Sequence, residues 1–190
     1  MTSTRNGGDI AARKGLLDVA LRLFSRKGFA DTSVREIVHG AGVTAPTLYY
    51  YFNNKEGVYV HLLEQCSNDF LDHMIEAGDE SMSLRDHLLA LSQAQLSFAR
   101  ACPDQMRFLL GALHGHQEQT RFVDLAELRR RCLMPAEVAL NGAVDDPQRA
   151  SDLALTYAGV VHAWIEALLD GRRADASPCA AFIDQLVASL

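Results

Sequence analysis

Two short helices joined by a turn too tight to let them lie side by side constrain this 190-residue chain more than any other feature. Ser33 stands three residues before Glu36, the spacing of a capping box, and Val34, Ile37 and Val38 give the following short helix an inward row. Gly40 and Gly42 close that helix. Thr44 then reads as the N-cap of a second short helix, with Pro46 in its first turn, where a missing N–H is harmless. The second helix runs Ala45-Pro46-Thr47-Leu48-Tyr49-Tyr50-Tyr51, and Phe52-Asn53-Asn54 ends it. Helices joined across residues 40–44 must cross steeply, which leaves the outer face of the second one open.

Helical periodicity continues on both sides. Upstream, Leu17, Ala20, Leu21 and Phe24 form the apolar stripe of a helix over 10–27, with Arg13, Lys14, Arg22 and Arg26 facing water. Gly28 suits its left-handed end, and Phe29 folds back on the core. Downstream, Asn54 caps a helix over 55–77, which Gly78-Asp79 breaks, and Ser83 with Asp86 starts one ending near 101. Pro103 opens a helix to about 115, and another runs from about Glu118 to Leu140, with Pro135 expected to kink or split it. Asp146-Pro147 and Ser177-Pro178 start the last two, over 147–170 and 178–189. No alternating strand pattern appears, so the expected fold class is all-α with nine helices.

Hydrophobic residues make up 48% of the chain, enough for a real core. The most apolar stretch, 153–169, is interrupted by His162 and Glu166, so a membrane span is not expected. Residues 1–9 are polar and lack the apolar core of a signal peptide, and Cys66, Cys102, Cys132 and Cys179 follow no disulfide or metal-finger spacing. Both observations point to the cytoplasm. The charge is uneven: residues 1–60 carry 8 basic and 5 acidic side chains, the remainder 10 and 19. A locally basic first third on an acidic body fits binding a polyanion through one end only.

The open helix suits that partner. Leu48 and Phe52, four apart, bury together, which turns Thr47, Tyr50 and Tyr51 outward at various angles. Thr44 at the N-cap and Lys55 at the next helix start suit backbone phosphates. A Thr methyl, Pro ring or Ala methyl can pack on a thymine methyl, and Thr or Tyr hydroxyls can bond base edges. Tyr49 and Tyr51 individually fit a second reading equally well, in which they seal this helix against the next.

Residues 15–63, with ALRLF and KGF at the end of the first helix followed by TSVREI, AGV, TLYYYF and NKE, resemble the DNA-binding region of the TetR family of bacterial transcriptional regulators. The resemblance implies a helix-turn-helix DNA-binding domain over 1–54 and a helical ligand-binding and dimerisation body over 55–190. It implies base contacts at Ala45, Pro46, Thr47 and Tyr49, and phosphate contacts at Thr44, Tyr50, Tyr51 and Lys55. Ser33 and Arg35 fall where members touch backbone or a base edge. Many members carry Lys or Arg then Gly where this chain has Ala45-Pro46, and His where it has Tyr51, so the operator sequence does not follow from the family. The implied function is a repressor, or less often an activator, released from a near-palindromic site in double-stranded DNA by a small molecule. That molecule enters between the fourth and seventh helices, and the fourth helix connects it rigidly to the DNA face.

The penultimate helix carries apolar residues on more than one side and needs cover on more than one side. A two-fold homodimer through the last two helices supplies it, with Val161, Ile165, Leu168, Phe182, Ile183, Leu186 and Val187 as the expected interface; the alternative is that these helices are simply central in a monomer. Candidate effector contacts are His73, Phe98, Met106, Arg107, Leu110, His114, Phe122, Tyr157 and Trp164, each equally readable as core or surface. His114-Gly115-His116 with Glu118 lacks a distal ligand, so no metal and no cofactor is expected. Cys102 beside Pro103 is the best-placed thiol for oxidation, although buried inert thiols are the default. No nucleophile elbow, HExxH or phosphate-cradling loop supports an enzyme. A helical ligand-binding scaffold without DNA binding would predict an eroded outer face, which Thr44, Thr47, Tyr50 and Lys55 contradict.

Overall fold

Local start and stop signals set most of the helix boundaries. The computed structural model describes residues 3–77, 81–115, 121–172 and 177–190, with side chains from Gly8 onward and, in the last segment, from Cys179. Among these residues the chain forms nine α-helices and no strand: α1 (Ser3–Lys27), α2 (Val34–Gly40), α3 (Ala45–Phe52), α4 (Lys55–Ile75), α5 (Leu84–Ala101), α6 (Pro103–His114), α7 (Leu125–Asn141), α8 (Pro147–Leu169) and α9 (Ser177–Ala188). The caps read from sequence are made at Ser33 with Glu36, at Asn54, at Ser83 and at Asp146.

Two helix starts differ, and one expected break is absent. Helix α1 begins at Ser3 rather than Ile10. Its first turns are too polar to show a periodic signal, and Asp9 anchors them through a hydrogen bond from the Tyr51 hydroxyl. Helix α7 begins at Leu125, capped by Asp124, and Pro135 does not split it. A single missing N–H removes one hydrogen bond, and the burial of Leu125, Leu128, Ala136 and Leu140 holds the helix together. Gly78-Asp79, His116 and Glu118 lie outside the described residues.

Helix α4 packs against α1 and α3 near its start and against α5, α6 and α7 along the rest, while α1 also packs on α6. One hydrophobic core therefore runs through the whole chain, from Leu16, Ile37 and Leu48 to Met106, Leu140 and Ile165. An aromatic cluster fills the junction. Phe24 of α1, Phe29 of the following turn, Tyr59 of α4, Phe108 of α6 and Phe122 ahead of α7 have ring centroids 4.9–6.1 Å apart. Edge-on and tilted pairs of this kind gain more than their buried area alone. By length and composition α8 could cross a bilayer, yet in this fold it packs on α7, α5, α6 and α9, and 28% of its most apolar window is buried.

Candidate nucleic-acid interface

Gly42 makes the turn between α2 and α3. Its φ of 65° lies in the left-handed region that glycine adopts without a Cβ penalty. The Val43 N–H donates to the Val38 carbonyl at 3.0 Å, which fixes the crossing of the two helices. Leu48 and Phe52 form the inward side of α3, as their spacing predicts. Pro46, Tyr49 and Tyr50 are exposed, Tyr50 most of all at 77%, while Ala45, Thr47 and Tyr51 are half-buried. The Tyr50 and Tyr51 rings meet edge to face, with centroids 5.0 Å apart. Gly57 lets α4 start close under α3, where a Cβ would overlap the Phe52 carbonyl.

Several of the polar ends expected at DNA already have partners within the chain. Thr44 occupies the N-cap position, but its hydroxyl makes no cap bond and lies 3.1 Å from the Thr47 hydroxyl. The Lys55 ammonium donates to the carbonyls of Phe29 at 2.8 Å and Thr32 at 2.7 Å, and it sits 4.0 Å from the Phe29 ring centroid. Two of its three donors are thus engaged, and partial burial lowers its pKa. The Tyr51 hydroxyl bonds Asp9, which pushes the phenol up to about 12. The Ser33 hydroxyl accepts from the Glu36 N–H and donates to the Glu36 carboxylate, which also takes Lys27 Nζ at 2.6 Å. The Lys27 bond, then the Ser33 bonds, hold that carboxyl down to about 2. Arg35, on the first turn of α2, is exposed.

Sequence reasoning missed a contact beside this face. An Arg13 guanidinium nitrogen lies 2.9 Å from His61 Nε2, and the Arg13 Cζ lies 5.6 Å from the centroid of the Phe52 ring. The residues are 48 apart in sequence, and no local pattern announces the pairing.

The expected effector contacts do not converge on one cavity. Phe98 and Met106 belong to the continuous core, with His73 against the Phe98 ring. Tyr157 is 1% exposed, and its hydroxyl is satisfied by the Leu88 carbonyl at 2.9 Å and the Ser92 hydroxyl at 2.8 Å, so it is a core anchor. Phe122 joins the junction cluster and lines a cleft of about 220 Å³ between α4 and α7, with Val60, Leu63 and Ser67 on one side and Leu128 and Arg131 on the other. Arg107, Leu110 and His114 do share a cleft, of about 420 Å³, in which Glu166 and Asp170 also stand. Trp164 packs partly buried on the core. His114 Nε2 lies 3.3 Å from His162 Nδ1, and burial, with His114 adding to it, drives the His162 pKa down to about 4. No group of three or more metal-ligating side chains occurs among the described residues. All four cysteines are free, and burial pushes Cys66 up to about 12 and Cys132 up to about 11.

The expected interface residues divide into two sets. Val161, Ile165, Ile183 and Leu186 are 1%, 0%, 1% and 7% exposed in the single chain, so they face its own core and are not surface contacts. In the folded chain α8 packs on α7, α5, α6 and α9, and α9 packs on α5 and α8. Leu168, Phe182 and Val187 are partly exposed, and the outer side of α8 presents Leu155, Gly159, Val160, Ala163 and Ala167 instead.

Residues 16–62 match the profile of the bacterial regulatory proteins, tetR family. The biofilm operon icaADBC HTH-type negative transcriptional regulator IcaR of Staphylococcus epidermidis is 33% identical over 69 residues, covering 36% of this chain and 37% of its own. The probable HTH-type transcriptional regulator YttP of Bacillus subtilis is 29% identical over 116 residues, covering 60% and 49%. The chain thus spans between about a third and a half of the length of these relatives. A TetR-like transcriptional regulator from Rhodococcus sp. RHA1 has the same fold, with a TM-score of 0.74 over 92% of each chain at 21% identity. So does the regulator FadR of Bacillus subtilis, solved with stearoyl-CoA, at 0.70 over 93% and 96% and 17% identity. Residues 16–62 thus carry the sequence of the tetR family of bacterial regulatory proteins, and the chain shares the fold of TetR-like regulators.

Proposed function

We propose that this protein is a sequence-specific DNA-binding transcriptional regulator, in the first instance a repressor, that works as a homodimer and is released from its operator by a small molecule. The observation that carries the reading is the outward face of α3, where Pro46, Tyr49 and Tyr50 stand exposed on a helix braced from behind by Leu48 and Phe52. Rings with hydroxyl tips suit a wet partner that offers both apolar methyls and hydrogen-bonding edges, as a major groove does. Residues 1–54 form the reading head in this proposal and 55–190 the responding body.

Dimerisation through the last two helices is supported by the outer side of α8, an apolar surface with small residues at Gly159, Ala163 and Ala167 that lets a second helix approach closely. Effector control is supported by the cleft between α4 and α7, because α4 runs from that cleft to the base of α3. A ligand moves such an equilibrium only by its difference in affinity for the two states, and a few kcal/mol suffices. The test is fluorescence anisotropy of the purified protein with the intergenic DNA beside its own gene and with a scrambled duplex, each at several salt concentrations. A preference of about 10³-fold with a steep salt dependence is expected. Equal, weak binding to both duplexes overturns the reading.

A further inference from the structure

We propose that Arg13 and His61 form a clamp that positions the recognition helix, and that the clamp holds only while the His61 ring is neutral. The geometry fixes the chemistry. A guanidinium has donors and no acceptor, so the 2.9 Å contact between Arg13 and His61 Nε2 requires a lone pair on Nε2. His61 therefore carries its single proton on Nδ1. The same guanidinium lies over the ring of Phe52, the last residue of α3, and that ring lies 5.7 Å from the His61 ring. One side chain of α1 thus touches the end of the recognition helix and the second turn of α4 together. One turn earlier on α1, Asp9 holds Tyr51, the neighbour of Phe52, so α1 grips the end of α3 at two successive turns.

Adding a proton to Nε2 turns the acceptor into a donor. Two cations then face each other across a hydrogen-bond distance, and the contact reverses from attraction to repulsion. The charged groups around His61 are few: Arg13 from α1 opposes its protonation, Glu64 on α4 itself favours it, and α3 contributes only the uncharged Phe52 ring. Partial burial and Arg13 hold the His61 pKa below 6.5, so the ring is neutral near pH 7 and the clamp opens on acidification. The group transmits as well as braces, since a displacement of α4 reaches the recognition helix through His61 and Arg13 besides the buried core.

This proposal rests on the DNA-binding reading for its consequence, but not for its first test. Nitrogen-15 NMR of the full chain should show His61 as the Nδ1–H tautomer at pH 7.5, with the amides of residues 51–53 shifting at the His61 midpoint. Operator affinity, measured from pH 8 to pH 5, should fall about fivefold through that midpoint, the scale of one hydrogen bond lost. His61→Gln keeps an acceptor for Arg13 at every pH and should abolish the step while retaining high affinity. Arg13→Met keeps the stem over Phe52 and should bind about fivefold more weakly with no step. An Nε2–H tautomer, residues 51–53 insensitive to His61, or an unchanged step in His61→Gln overturns the clamp. If no duplex is bound specifically, the DNA reading fails, and the tautomer and amide shifts still decide the clamp.

Discussion

The outer faces of α3 and α8 are both exposed and both largely apolar by residue type, but they are made differently. On α3 the exposed groups are the Pro46 ring and the hydroxyl-tipped rings of Tyr49 and Tyr50, on a helix of eight residues. On α8 they are Leu155, at 59% exposure, with Gly159 and Ala163, aliphatic or bare, on a helix of 23 residues. A ring bearing a hydroxyl keeps its hydrogen bond whether water or a partner is present. A methyl gains only by losing water. The first surface suits a hydrated, exchangeable partner and the second a dry, lasting one.

That contrast can be broken at either end. Ala163→Arg places a charge in the middle of the α8 face and is expected to weaken the proposed dimer by about a hundredfold or more, because a charge buried without a partner is expensive. Sedimentation velocity should show monomers, and circular dichroism should show unchanged helix content, since Ala163 is exposed in the single chain. A dimer that survives this change would mean that α8 is not its seam.

The second expected effect separates the two ends by acid. His162 of α8 has its pKa depressed to about 4 from 6.5, so the folded chain resists its protonation and the unfolded chain does not. Stability is therefore full above pH 6.5, falls as pH drops toward 4 and levels off below that. At pH 5 the loss is about 2 kcal/mol. Urea unfolding at pH 7.5 and pH 5 measures it, and His162→Phe should remove that part of the difference. The Glu36 box of the head responds in a lower window. Its carboxyl, held down to about 2, gives stability that is present above pH 4.5 and is lost as pH falls through about 2.

Tyr50→Ala is the converse of the α8 change. It should lower operator affinity about tenfold and leave the sedimentation of the dimer untouched. The smallest effect sharpens what the α3 face reads. Helix α3 carries no charged or amide side chain, so its discrimination among bases rests on methyls, rings and hydroxyls. Thr47→Ser removes one methyl and keeps the hydroxyl. On the DNA reading it should cost about threefold; if a thymine faces Thr47, replacing it by uracil should cost about the same, and the two losses should not add.

How far sequence carried the fold depended on the range of each interaction. Ser33 with Glu36, Asn54 with Gly57, and Leu48 with Phe52 are settled within one turn of helix, and the pattern gave them away. Several polar groups of the body resisted reading because they are satisfied from another helix: Tyr157 by the Leu88 carbonyl, Arg107 by the Leu169 carbonyl, Arg131 by Asn68. A polar residue on an apolar helix announces that a partner exists and not whether it is a ligand or the protein itself. The dimer residues misled for a related reason. Periodicity shows that α8 has two apolar sides, but only the packing of the folded chain shows that Val161 and Ile165 are already covered. Lys55 stands where a phosphate contact was expected, and its engagement with the Phe29 and Thr32 carbonyls depends on how the turn after α1 closes.

The unbroken length of α4 sets a tolerance. Its 21 residues extend for about 30 Å, so a tilt of about 5° about its far end near Ile75 displaces the end beneath α3 by about 2.5 Å. In the proposed dimer, with its two heads on half-sites about 34–36 Å apart, two such displacements in opposite senses add to a spacing error of about 5 Å, larger than the rise of one base pair. On the proposed reading, a ligand therefore need not unfold or even visibly rearrange the body to end recognition. An angular error too small to disturb the packing of the core is enough to put both heads out of register.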